Sequence, residues 1–238
     1  MNATAHQIGF DRFIRKEWAT AALRVRAGQS SLADFMMLLD SAGLGVAAKK
    51  KTRTVLNRLW LEPRPELVEF AERGCELFRT YDEKAIPALH WGMAISSYPF
   101  FGKLAELVGR LSSLQGDCST SEVCRRVNEI YGESEGIRRV ANRVIQTQAD
   151  WGVLQRIDNG KRLVKQTPTT LQNEALIVWI VEAAVRYKGD VVSLKSLPAL
   201  PTLFPYQLDC PLAYVVSNSK NLELRSDGSQ SEFVAIRE

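Results

Sequence analysis

The sequence predicts a mainly α-helical protein whose later helices are followed by short β-hairpins. Three observations carry that expectation. Apolar residues recur at spacings of three and four along the first half of the chain, the period of amphipathic helices. Alternating segments flank Asp158-Asn159-Gly160 and again Ser226-Asp227-Gly228. Such turns need positive φ angles and are strong local hairpin signals. The 238 residues are 45% hydrophobic and 24% charged, a globular balance that excludes wholesale disorder.

Taken in order, Asp11 to Ala27 places Ile14, Trp18, Ala21, Ala22 and Val25 on one side of a helix that Gly28 ends. Ser31 caps a second helix with Leu32, Phe35, Met36 and Leu39 in one stripe. After Gly43-Leu44-Gly45, a third helix runs from about Val46 to Leu61 with Val55, Leu56, Leu59 and Trp60 inward. Pro63-Arg64-Pro65 stops it, and Pro65 opens a helix over 66–80 with Leu67, Phe70 and Leu77 inward. Residues 84–97 and 100–114 read as two helices separated by Tyr98-Pro99. Their aromatics and small residues suit a packed core or a protein interface.

The pattern changes at Gln115-Gly116-Asp117. Ser119 or Thr120 caps a helix bearing Val123, Val127, Ile130 and Tyr131, and Ser119 and Glu122 have capping-box spacing. Gly132 ends it. A helix follows over about 135–151, then a hairpin of 153–157 with 161–165. The segment 173–188 is apolar nearly all round and is expected to be buried. A short strand is expected at 191–194. The four prolines of 197–211 require turns or short helices. Residues 212–216 continue the apolar pattern, and a last hairpin spans 221–237. No sequence repeat has a fixed period, but helices followed by a hairpin occur at 119–166 and again at 173–238.

Helix, turn, helix and two-stranded hairpin is the order of a winged helix, and residues 119–166 resemble that superfamily by pattern. The full expectation is therefore an N-terminal helical domain (1–116), a winged helix (117–170) and a C-terminal winged-helix-like packing module (171–238). The resemblance implies that the second helix, 136–151, enters a DNA major groove and that the hairpin 153–165 touches backbone or minor groove. Arg139, Asn142, Arg143 and Gln146 fall at i, i+3, i+4 and i+7 on the face opposite Val140, Val144 and Ile145. Arginine can pair with guanine, and asparagine or glutamine with adenine, through two parallel hydrogen bonds. Arg138 lies beside them, and the wing adds Arg156, Lys161, Arg162 and Lys165. Residues 136–165 hold seven basic and two acidic residues, a local +5 against +4 for the whole chain.

A second basic element, Lys49, Lys50, Lys51 and Arg53, lies in a stretch without acids between Asp40 and Glu62. Residues 31–61, helix, Gly43 turn and helix, offer a helix-turn-helix or a patch that contacts phosphates without reading bases. A solvated face is the plain alternative. Contact of both elements with one duplex would make affinity steeply salt-dependent. Residues 171–238 carry six basic and eight acidic residues, which argues for packing, dimerisation or a partner protein there.

Other classes are disfavoured. Cys75, Cys118, Cys124 and Cys210 include no C-x-x-C pair, and only His6 and His90 could help them hold zinc. Phosphate-cradling, dinucleotide-binding and nucleophile-elbow motifs are missing from the sequence. Cys75 reads as a small core residue and His90 as a satisfied, half-buried histidine. Glu62, Glu66, Glu69, Glu72 and Glu76 read as a solvated stripe. The opening MNATAHQIGFDRFIRKEW has no apolar core behind an early basic region, and Ala175–Val185 is short and contains Glu182. No membrane span, cofactor or metal is expected, and the cytoplasm is the expected compartment. The expectation is a non-enzymatic binder of double-stranded DNA, a bacterial-type regulator or the DNA-engaging subunit of a larger assembly such as a phage-defence system. It could form a homo-oligomer or larger complex through 90–115 and 171–238. The rival readings are a protein adaptor with its interface at His90–Phe101, and an RNA binder, which the lack of stacking aromatics on 136–165 disfavours.

Overall fold

A computed structural model describes residues 8–226, 228 and 231–237. His6 and Asp227, named above, lie outside the described residues. The chain runs α1 (Lys16–Arg26), α2 (Leu32–Ser41), α3 (Val46–Leu56), α4 (Val68–Tyr81), α5 (Ile86–Ser97) and α6 (Pro99–Gln115). Then come β1 (Asp117–Ser119), α7 (Thr120–Tyr131), α8 (Glu135–Asp150), β2 (Leu154–Ile157), β3 (Arg162–Lys165) and β4 (Thr169–Leu171). The remainder is α9 (Glu174–Lys188), β5 (Val192–Ser193), β6 (Tyr206–Leu208), α10 (Leu212–Ser217), β7 (Leu222–Ser226) and β8 (Glu232–Ile236). Mainly α is thus correct.

Several boundaries move for identifiable reasons. Residues 11–15 precede α1 rather than belonging to it, because backbone groups of Asp11 and Ile14 are taken by α8 and the adjoining Trp151, as described below. The third helix ends at Leu56 and continues as a π-helical turn, Asn57–Leu61. Ser31 accepts from the Asp34 N–H at 3.1 Å and the Asp34 carboxylate accepts from the Ser31 N–H at 3.2 Å, closing a capping box on α2. Phe35 and Leu39 of that helix are buried, but Leu32 is 50% exposed and does not join their stripe. The strands β4 and β6 were not anticipated. They pair in parallel, Thr169 with Tyr206 and Leu171 with Leu208, through backbone that the prolines at 198, 201 and 205 make look unstructured.

Helix α5 is the centre. Ten of its residues, among them Leu89, His90, Trp91, Met93 and Ile95, are buried. It packs on α9 and α6 and against α4 and the π-helical turn. Gly92 permits the α5–α9 approach, since a Cβ there would overlap the Trp179 ring. Trp179 stacks on Phe70 at 4.2 Å between ring centroids and donates its indole N–H to the Phe70 carbonyl at 2.9 Å. Trp91 donates to the Thr202 carbonyl at 2.8 Å, and Tyr98 donates to the Val55 carbonyl at 2.8 Å. Aromatic side chains thus fill the core while their polar ends fasten distant elements. The segment expected as an interface, His90–Phe101, lies inside this core almost entirely. Its apolar groups are satisfied within the chain, which removes it as an exposed docking face.

His90 is more than half-buried: it is 1% exposed. Trp60 Nε1 donates to His90 Nδ1 at 3.1 Å, so the ring proton sits on Nε2, 3.0 Å from Thr20 Oγ1. Burial, with the Lys16 charge assisting, pushes the imidazole down to about 3. Glu182 is equally buried, but charged partners hold it. Arg73 Nη2 reaches its two carboxylate oxygens at 2.6 and 2.7 Å, and Arg186 Nε reaches Oε1 at 2.9 Å.

The described residues also show an architectural repeat. α6, β1, α7, α8, β2 and β3 form a helix-backed sheet of order β1-β3-β2. α9, β5, two short 3-10 turns, α10, β7 and β8 form another of order β5-β8-β7. In each, the strand after the first helix pairs with the second strand of the hairpin, which lies at the centre of the sheet. The pattern noticed in the sequence therefore extends one helix further toward the N-terminus in the first copy.

Two outcomes follow. Unfolded chain protonates His90 below about pH 6.5, whereas the folded chain does so only near 3. Unfolding therefore takes up a proton in that window, and stability falls as pH is lowered through it. The stability gap between wild type and His90→Gln is expected to narrow by ~1.4 kcal/mol per pH unit between pH 6 and 4. Urea titrations read this directly, and a gap independent of pH contradicts it. Glu182→Ala leaves two arginines facing a carboxylate-free pocket and is expected to cost ~3 kcal/mol. Arg125→Ala, on the surface, is expected to cost under ~1 kcal/mol in the same titration.

Candidate nucleic-acid interface

The central unit, 117–165, is assembled by local chemistry. Ser119 Oγ accepts from the Glu122 N–H at 3.0 Å and caps α7, while Ser134 Oγ accepts from the Ile137 N–H at 3.1 Å and caps α8. Glu122 does not complete a capping box, because Arg125 and Arg126 occupy its carboxylate at 2.7 and 3.1 Å. α8 buries Ala141, Val144, Ile145, Thr147 and Gln148. β2 and β3 pair from Leu154–Lys165 to Ile157–Arg162, leaving the four-residue turn 158–161. Asp158 and Asn159 hold φ of 51° and 54°, the left-handed conformation that their short polar side chains tolerate. Gly160 leaves room for the Arg156 guanidinium, which a Cβ would strike.

Helix start, second helix and hairpin turn enclose a groove of about 540 Å³. Arg138 and Asn142 line it from α8, Arg156 and Lys161 from the hairpin, and Thr120 and Ser121 from the start of α7. Thr120 donates its hydroxyl to the Gly160 carbonyl at 2.6 Å and its N–H to the Lys161 carbonyl at 2.9 Å. The positive end of α7 is therefore fastened to the turn and opens on the same groove. The sequence singled out Ser119 and Thr120 only as caps. Nothing in local spacing reveals a contact with a turn forty residues on.

The charges divide sharply. On α7, Arg125 and Arg126 are neutralised by Glu122 and Glu129. Around the groove, Arg138, Arg156 and Lys161 form no ion pair among the described residues. Exposed pairs contribute little to stability, so leaving these cations unpaired costs the fold little and leaves a field for an anion.

Not every expected residue joins them. Arg139 is exposed, 3.8 Å from Glu135. Asn142 donates to the Arg138 carbonyl at 3.0 Å and is half-buried, as is Gln146. Arg143, expected to face solvent, is half-buried and donates through Nη1 to the Asp11 carbonyl at 2.8 Å. Arg162, expected as a free wing cation, also lines the groove but is paired with Asp117 of the neighbouring strand and lies 3.5 Å from Asp158. Lys165 sits at the base of the hairpin, not its tip. It lines a separate cavity with Pro198, Pro201 and Tyr206. In the second basic element, on α3, Lys49 is held by Asp40 at 2.5 Å, whereas Lys50, Lys51 and Arg53 are exposed.

The Asp11 contact belongs to a seam that sequence reading missed. Ile14 N–H donates to Thr147 Oγ1 at 2.9 Å, Lys16 N–H to Asp150 at 2.6 Å, and Trp151 Nε1 to the Ile14 carbonyl at 3.1 Å. Backbone groups of residues 11–16 thus hold the C-terminal half of α8. Among the described residues no cluster of His, Cys, Asp or Glu could hold a metal ion, and no helix is long and apolar enough to cross a membrane. Glu62, Glu66, Glu69, Glu72 and Glu76 are all exposed. Burial pushes the Cys75 and Cys118 thiols up to about 11, away from nucleophilic character.

Comparison of the chain with protein-family models, with curated proteins and with solved structures finds no match.

Because Arg143 bonds the seam and Arg139 does not, Arg143→Ala is expected to lower stability by ~1 kcal/mol. Arg139→Ala is expected to change it by under ~0.5 kcal/mol. Equal effects in chemical denaturation would mean that the Asp11 contact contributes nothing.

Proposed function

We propose that the central unit binds double-stranded DNA, without catalysis, through α8 and the β2–β3 hairpin. The carrying observation is the convergence of Arg138, Arg156 and Lys161, unpaired among the described residues, on one groove with the start of α7. The element order from α6 to β3 and the sheet order β1-β3-β2 support a winged-helix reading of this unit. In that geometry α8 lies in the major groove, with Arg139 and Gln146 toward base edges and Asn142 within reach of them. Arg138, Arg156 and Lys161 meet phosphates, which position the protein without specifying sequence. Arg143 acts by orienting α8, and Arg162 by tying the hairpin to β1. The protein serves as a regulator or as the DNA-engaging subunit of a larger assembly. Its C-terminal unit, with an excess of acidic residues, packs or meets a protein.

Fluorescence anisotropy with a labelled mixed-sequence duplex over a salt series tests this. Wild-type affinity is expected to fall steeply with salt. Arg138→Ala with Lys161→Ala is expected to flatten the log–log slope by ~2, one unit for each lost phosphate contact. Absence of binding at low salt, or an unchanged slope in the folded double variant, overturns the proposal.

A further inference from the structure

The seam at Asp11 joins two basic elements that lie far apart in sequence. Asp11 Oδ2 is 4.0 Å from Lys51 Nζ of α3, and the Asp11 carbonyl is 2.8 Å from Arg143 Nη1 of α8. Arg12 Nη1 also reaches that carbonyl, at 3.1 Å. Two cations, Arg12 from the same segment and Lys51 from α3, therefore approach the Asp11 carboxylate, while Arg143 of α8 is fastened to the backbone carbonyl of the same residue. Helices α2 and α3 are joined by the four residues 42–45, with Gly43 at φ +68°, the compact connection of a helix-turn-helix. Along α3, Lys50, Lys51 and Arg53 are exposed, and Lys50 and Arg53 form no ion pair among the described residues. Val46, at the first helical position, is 84% exposed. The fold gains nothing from it there. An apolar group beside lysines at a helix start suits the thymine methyl and phosphates of a major groove.

We infer that α3 is a second DNA-reading helix, and that it engages the same duplex as α8 across the Asp11 seam. This rests on the proposed function of the central unit and extends its footprint. Charge complementarity selects the partner: a polyanion with regularly spaced phosphates matches the exposed cations of α3 and of α8 on either side of Asp11. Asp11 is then a repulsive group in the middle of the interface. Its side chain can be removed without touching the carbonyl that anchors Arg143.

The test measures anisotropy on labelled mixed-sequence duplexes of about 12 and about 30 base pairs, roughly one and three helical turns. Lys50→Ala with Lys51→Ala and Arg53→Ala is expected to flatten the salt slope by ~2–3 on the long duplex and to leave the short one nearly unchanged. Asp11→Ala is expected to tighten binding to the long duplex by about twofold to fivefold, the scale of one exposed charge pair. Circular dichroism confirms that each variant is folded. If the α3 triple variant matches wild type on the long duplex while Arg138→Ala with Lys161→Ala weakens binding, α3 is a solvated face and the inference fails alone. If wild type binds neither duplex, the DNA reading of the central unit fails and takes this one with it.

Discussion

Everything else in the structure is arranged around the burial of α5. A helix apolar on all sides cannot lie at a surface. The π-helical turn after α3, α4, α6 and α9 therefore surround it, and they come from widely separated parts of the chain. That requirement explains where the polar groups go. His90 is neutral because it has no water to meet. Trp91 and Tyr98 send their donors to backbone carbonyls of neighbouring elements. Glu182 of α9 has its carboxylate held by two arginines, Arg73 and Arg186. The alternative for each of these groups is an unsatisfied polar atom in an apolar interior, which costs more than a surface ion pair contributes.

Much of this was legible in the sequence. Periodicity located the helices, and Asn159-Gly160 located the hairpin turn, because both signals depend on neighbours in sequence. The all-round apolar character of 173–188 foretold the burial of α9. What stayed hidden depends on partners far along the chain. The extension of the first helix back to Asp11 failed because residues 11–16 give their backbone groups to α8, a competition that no local propensity registers. Lys165 and Arg162 were grouped with Arg156 and Lys161 as wing cations by proximity in sequence, yet their surroundings set them apart. One sits at the hairpin base and the other is paired across the sheet to Asp117. The parallel pairing of β4 and β6 is concealed by prolines in the loop between them.

The pairing pattern of the charges carries more information than their number. A net charge of +4 says little about a partner. α7 carries two arginines and neutralises both on its own surface. On α8 and the hairpin, Arg138, Arg156 and Lys161 form no ion pair among the described residues, whereas Arg139 lies near Glu135 and Arg162 is paired with Asp117. The two helix-backed sheets share strand order but not charge. In the C-terminal one the helix corresponding to α8 is α10, only six residues long, and no arginine or lysine lies on it. The second helix of the frame thus carries cations in the central unit and none in the C-terminal one.

The seam between residues 11–16 and α8 also sets an order of events during synthesis. Ile14 contacts Thr147 and Trp151 across separations of 133 and 137 residues. The N-terminal helices can be complete long before their acceptor has left the ribosome. The hydrogen-bonding groups of Asp11, Ile14 and Lys16 must wait, solvated, while more than half of the chain is added. Contacts of such long range close late. The junction between residues 11–16 and α8 can therefore form only once α8 has been made, and the core around α5 must wait longer still, for α9.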